Sequence, residues 1–245
     1  VLDQNLLYFL FPRHTLYDFL RPRIVLAHDQ LQKEIKKFAQ SVEGIDNDRI
    51  VDVFIIDKDN NAISCTPSGG WIRSNEVINE LGFPLGNRLM TFYLSKPGHV
   101  NFIAPEQQPR TTLSPTLIIN QKKKEILSCG TMGGDAQDQW QAQFLMNYIF
   151  SNKSIYQALN EPRVSSEHLP AFFHPHDPNL KQLLLEERLS PFISQLNKKG
   201  HKCLKTTDWS EGFILCARKQ DKIYDAYADI RSYKSQIFQA QALAW

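Results

Sequence analysis

IVDVFIIDKDNNAISCT, residues 50–66, decides how the rest of the chain is read. Residues 50–56 are rich in β-branched side chains and almost continuously apolar, the pattern of a strand buried on both faces. DKDNN (57–61) is a cluster of turn formers, and AISCT (62–66) returns as an antiparallel partner. The stretch is therefore a hairpin inside a layered fold rather than on its surface.

The same plan recurs downstream. SPTLIIN (114–120), the polar turn QKKK (121–124) and EILSCGT (125–131) form a second hairpin, with Lys122, Lys123 and Lys124 in its solvated turn. GFILCARK (212–219) and KIYDAYADI (222–230) form a third. Between them, residues 133–150 read as a helix with Trp140, Phe144, Leu145, Tyr148 and Ile149 on one apolar stripe and Asp135 in the first turn. LSPFISQLNKKG (189–200) reads as another, begun at Ser190-Pro191 and ended by Gly200. Upstream, Leu31, Ile35, Phe38, Ala39 and Val42 recur at helical spacing, so residues 1–48 read as helical and irregular. Strand pairs separated by helices imply an α+β fold with mainly antiparallel sheets.

Composition narrows the function classes. With 28 Lys plus Arg against 26 Asp plus Glu, the 245 residues carry a net charge of +2, not the basic excess of a dedicated nucleic-acid binder. An apolar share of 42% supports a packed core, and no apolar run approaches the roughly 18 residues of a membrane span. Cys65, Cys129, Cys203 and Cys216 lie in or beside apolar runs without metal-site or disulfide-framework spacing, so they read as packed thiols. No export signal is visible at the N-terminus, which points to the cytoplasm, with the periplasm left open.

GTMGGDAQDQW (130–140) is the stretch that could carry chemistry. A strand running through Gly-Gly into a helix brings backbone N–H groups to a helix start with no Cβ in the way, a ready anion or oxyanion site. It reads equally as a tight strand-to-helix turn. QPRTTLSPT (108–116) offers hydroxyls before a proline and by itself is equally a strand start.

Taken in order, DKDNNAIS, TPSGGW (66–71), LGFPLGNRLMTFYL (81–94), APEQQPRTTLSPTL (104–117), GTMGGDAQDQW, SSEHLPAFFHP (165–175), Gly200-His201 and WSEG (209–212) resemble the small-subunit region of the γ-glutamyltransferase family. The resemblance runs from residue 48 to 233. It implies an αββα sandwich, two mainly antiparallel sheets between helix layers, of the N-terminal-nucleophile hydrolase type. It implies a small-subunit-like domain over residues 49–245 and a helical remnant of the large-subunit side over 1–48, one compact unit overall, with the sandwich incomplete at its N-terminal side. In that family a precursor cuts itself before a Thr, whose hydroxyl then attacks a γ-glutamyl amide while its α-amine serves as base. By the same resemblance Gly133 and Gly134 match the oxyanion-hole pair, Thr111 and Thr112 the hydroxyls that hold the substrate carboxylate, and Ser68 a hydroxyl near the nucleophile. No cofactor or metal is implied.

The chain departs from the pattern at the nucleophile. Counted back from Asp57, the expected Thr falls at Ile50, and no Ser, Thr or Cys lies between Ser41 and Ser64. A hydrocarbon side chain supports neither self-cleavage nor attack on an amide. The acidic position expected to receive the substrate's α-amine appears as Met90 or Thr91, and residues 1–48 show no block matching the large subunit's carboxylate-gripping Arg. Three readings follow. The chain is a truncated or degenerate relative with little or no turnover, in which the Gly pair and Thr111/Thr112 survive as packing or as a weak site for a γ-glutamyl small molecule. Alternatively it is an active hydrolase or transferase whose nucleophile is misregistered or lies on a separate large-subunit segment. The third reading is a binding or scaffolding protein. His174, His176 and Asp177 could be metal ligands, but Pro175 breaks the run and the reading taken is no metal. His201 reads as a helix-end residue rather than a catalytic one.

Overall fold

The computed structural model describes residues 7–10, 53–66, 77–78, 83–84, 88–167, 176, 182–231 and 241–244. In chain order the strands are β1 (Leu7–Leu10), β2 (Val53–Ile56), β3 (Ala62–Cys65), β4 (Val77–Ile78), β5 (Phe83–Pro84), β6 (Thr116–Asn120) and β7 (Glu125–Thr131). Helices α1 (Gln137–Leu145) and α2 (Ile155–Asn160) follow. Then come β8 (Val164–Ser166), β9 (Gln182–Glu186), helix α3 (Ile193–Lys198), β10 (Lys202–Thr206), β11 (Ile214–Gln220), β12 (Ile223–Ala228) and β13 (Gln241–Ala244).

Two four-stranded antiparallel sheets dominate, ordered β13-β1-β2-β3 and β12-β11-β7-β6. All four residues of β2 are buried, as the unbroken apolar run requires. The sheets approach closely. The Ser64 hydroxyl donates to the Cys129 carbonyl at 3.0 Å, and the Ser128 hydroxyl to the Ile63 carbonyl at 2.6 Å. Gly130 permits this approach, because a Cβ there would lie 2.6 Å from Cζ of Phe54. On the other face of β7 and β11, Leu127, Cys129, Ile214 and Cys216 pack against Phe144, Ile155, Ala158 and Leu159 of α1 and α2. The described layers are thus helix on sheet on sheet, an α+β sandwich. The helix read over residues 31–42 lies outside the described residues.

Four expectations change. Leu7–Leu10, inside the segment read as helical, form a strand paired with both β2 and β13. Residues 146–150 leave the α-helix as a π turn, whose wider period rotates Ile149 off the stripe, and it is 47% exposed. Ser190 does not cap a helix; it sits inside a 3₁₀ segment, Glu187–Phe192, and its hydroxyl donates to the Glu187 carbonyl at 2.5 Å. A third sheet, ordered β10-β9-β8 with β9 and β10 parallel, was not read from sequence at all. Gly200 does end its helix, at φ 91, with its N–H donated to the Asn197 carbonyl at 2.9 Å. All four cysteines are free thiols; Cys129 and Cys216 are buried, Cys65 and Cys203 half-buried.

Candidate functional site

β7 is buried on both faces and carries the chain straight into the Gly133–Gly134 turn. The strand end is pinned: the Thr131 hydroxyl donates to the carbonyls of Phe213 and Met132. Gly133 then adopts φ 140 and Gly134 φ 60, two consecutive conformations that L side chains avoid. The 3₁₀ turn Gly134–Ala136 follows and passes into α1. Among the described residues, no acceptor takes the N–H of Gly133 or Gly134. Two such N–H groups at a helix start can hold an anion or a polarised carbonyl oxygen.

The two glycines are not equivalent. A Cβ on Gly133 would run into the six-membered ring of Trp140, whereas one on Gly134 meets nothing within 4 Å. The Trp140 ring also excludes a Cβ at Gly212, which has φ 59. Behind this wall lies a buried ionic cluster. Arg163 donates to the Gly212 carbonyl at 3.3 Å and pairs with Asp229 at 2.6 Å. Arg231 grips Glu186 through two bonds of 2.7 Å and also bonds Asp229 at 3.1 Å. Burial pushes the Arg163 guanidinium down to about 10 despite Asp229. Burial alone would raise the Glu186 carboxyl, but the hydrogen bonds and charge of Arg231 outweigh it and hold Glu186 below its ordinary range.

The hydroxyl segment is drawn to this turn by its neighbours. Arg110, immediately before Thr111, forms an ion pair with Asp135, immediately after Gly134. At the other end of the segment, Gln141 of α1 donates to the Ser114 carbonyl at 2.7 Å and to its hydroxyl at 2.6 Å. Thr111 is exposed, and its hydroxyl oxygen accepts the Leu113 N–H at 3.1 Å; Thr112 is half-buried. The structure thus ties the segment that carries Thr111 and Thr112 to Asp135 and to Gln141, on either side of it. Ile50 and Ser68 lie outside the described residues.

Neither position read in place of an acid supplies one. Met90 is half-exposed and uncharged, and Thr91 is buried with its hydroxyl donated to the Arg88 carbonyl at 2.7 Å and the Arg110 carbonyl at 3.5 Å. His176 is absorbed in packing, stacked on Tyr93 with ring centroids 4.0 Å apart. His174 and Asp177 are outside the described residues. Among the described residues no group of three His, Cys, Asp or Glu could hold a metal ion. No helix among them is long and apolar enough to cross a membrane.

Sequence reasoning missed Arg110, Asp135, Gly212 and Arg163 as parts of this site. Arg110 touches Thr111 in the chain and Asp135 touches Gly134, so adjacency to both singled-out pairs was the available signal. Trp140 was read as core, and it is buried, but its six-membered ring is also the wall behind Gly133.

Comparison with known proteins bears on the family and the fold. The sequence model of the family Gamma-glutamyltranspeptidase matches residues 13–238. The oxamate amidohydrolase proenzyme of Klebsiella pneumoniae is 31% identical over 140 residues, covering 56% of this chain and 25% of that protein. The glutathione hydrolase proenzyme of Escherichia coli is 26% identical over 160 residues, covering 60% of this chain and 26% of that protein. The solved gamma-glutamyltranspeptidase of Pseudomonas nitroreducens superposes with a TM-score of 0.54 at 24% identity, over 73% of this chain and 93% of that one, a likeness of fold.

Proposed function

The chain belongs to the gamma-glutamyltranspeptidase family, and on that footing we propose that it binds small carboxylate-bearing amides, the class that includes γ-glutamyl compounds, without turning them over. In this reading the N–H groups of Gly133 and Gly134 take the amide carbonyl oxygen, and the hydroxyls of Thr111 and Thr112 take the carboxylate. Ser68 takes the family's hydroxyl position near the nucleophile. Ile50 stands where a nucleophile would act and contributes no oxygen.

One observation carries the reading. Val53 pairs with Cys65 and Ile56 with Ala62, and Asp57 closes the turn by accepting the N–H groups of Asp59 and Asn61 at 2.9 and 2.8 Å. That fixed register supports the count that puts Ile50 at the nucleophile position and weighs against a slip along the strand. An alkyl side chain cannot form the ester of an acyl shift or attack a carbonyl carbon.

A second reading rests on length. The chain spans about a quarter of each of the two curated relatives described above. A large-subunit segment elsewhere would then complete an active hydrolase or transferase. The test is to follow thermal unfolding and ammonia or amine release with glutamine, glutathione and oxamate. Stabilisation without release is expected; release of product would support the second reading, and no stabilisation by any of the three would leave a scaffolding role.

A further inference from the structure

We propose that Cys129 and Cys216 close into a cross-strand disulfide when the chain folds in the presence of a disulfide oxidant, and that burial afterwards protects whichever redox state was folded in. The inference is independent of the amide-binding reading, since it concerns the helix-facing core rather than the glycine turn.

The register brings the two thiols together. Cys216 of β11 lies directly opposite Cys129 of β7. Residues opposite each other share a face of the sheet, and both side chains belong to the core packed under α1 and α2. The kind of pair follows from the main chain of β11. Ile214 accepts the Asp229 N–H at 3.1 Å and donates its own N–H to the Asp229 carboxylate at 3.3 Å, so its main-chain groups point to the β12 side. These directions alternate along a strand, so Cys216, two residues on, also bonds towards β12. Phe213, one residue before Ile214, turns its carbonyl the other way, to the Thr131 hydroxyl of β7. Cys216 and Cys129 are therefore a non-hydrogen-bonded pair, the closer kind, with Cα atoms about 4.5 Å apart. That separation lies inside the roughly 4.4–6.8 Å that a disulfide spans.

Cys65 lies in the other four-stranded sheet and Cys203 in the third, so neither shares a register with another cysteine. Cys129 and Cys216 are both 0% exposed. Burial pushes the Cys129 thiol up to about 12 and raises Cys216 well above its ordinary range, where Cys129 beside it adds to the rise. The thiolate is the species that attacks a disulfide, so exchange is slow once β7 and β11 have closed and open to the chain before that. One cysteine thiolate displaces glutathione from glutathione disulfide, and the second displaces the other glutathione from the mixed disulfide. The two thiol protons pass to the two glutathione thiolates; the cysteines lose two electrons and the oxidant gains them. A chain folded in an oxidising compartment is thus clamped through β7, the strand that leads into Gly133, and one folded in a reducing compartment keeps two packed thiols.

The test starts from the full chain, reduced in guanidinium and refolded in an oxidising mixture of glutathione and glutathione disulfide. Free thiols are then trapped with N-ethylmaleimide, and bridges are mapped by peptide mass spectrometry. A Cys129–Cys216 bridge is expected in most refolded chains, with Cys65 and Cys203 trapped as thiols, and it should form equally in a Cys65→Ala/Cys203→Ala variant. The native reduced protein in the same mixture should stay unbridged, and sub-denaturing urea should speed its bridging by about tenfold or more. Refolded chains in which Cys129 and Cys216 are trapped as thiols, or bridges that mainly join Cys65 or Cys203, would overturn the inference. Where refolding is inefficient, the urea arm on native protein decides alone: bridging at Cys129–Cys216 supports the inference, and both thiols trapped unbridged as urea rises overturns it.

Discussion

The indole of Trp140 lies where a side chain on Gly133 would have to go. The helix that follows the turn thus braces the turn from behind. Because Gly133 also sits at φ 140, its lack of a Cβ is required twice, once by conformation and once by packing.

Gly133→Ala should therefore destabilise the protein by about 1–3 kcal/mol, combining backbone strain with displacement of a buried ring. Gly134→Ala, at φ 60 with open space around it, should cost only about 1 kcal/mol. Urea unfolding of the two variants gives the comparison; equal losses would mean that Trp140 does not back the turn.

A second pair sets the spacing of the sheets. Gly130→Ala would press a methyl against the Phe54 ring, at an expected cost of about 1–3 kcal/mol. Phe54→Leu made in the Gly130→Ala background should restore part of that loss, and a double-mutant cycle measures the coupling. Strictly additive losses would argue against the contact.

Arg163 and Asp229 are buried and paired at 2.6 Å. Arg163→Met leaves Asp229 with Arg231 as a remaining partner, so the expected loss is about 3 kcal/mol, at the low end for breaking a buried pair. The same variant frees the Gly212 carbonyl, and so the tryptophan fluorescence of the native state should shift with it.

Glu211 makes a pH prediction. Burial raises its carboxyl above the ordinary range, and the hydrogen bond from Ser165 works in the opposite direction without cancelling it. A raised folded-state pKa means that the folded protein holds its proton longer than the unfolded chain does. Stability is therefore lost as pH rises from the ordinary carboxylate range through the folded value. Glu211→Gln, which has no proton to lose, should gain stability relative to the parent across that rise, as followed by thermal melts at stepped pH.

Much of the sandwich was legible because a strand buried on both faces leaves an unbroken apolar run, as at Val53–Ile56, and because the polar turn before Glu125–Thr131 marks that strand as the return of a hairpin. The third sheet was not, since β8 has three residues and β10 is half-polar and mostly exposed, so neither shows a period. Ile149 was misplaced because a π turn is invisible to a search at helical spacing. The site was legible as two separate motifs. Their union through Arg110 and Asp135 spans 25 residues of chain, and nothing local in the sequence announces a contact at that separation.

On the proposed reading, Ile50 leaves the family's acyl-transfer chemistry without a nucleophile. The most direct test is intact-mass spectrometry of the full natural protein after incubation with an electrophilic glutamine analogue, beside an Ile50→Thr variant. An unchanged mass is expected for the parent; a stoichiometric covalent adduct on it would show that a nucleophile is present after all.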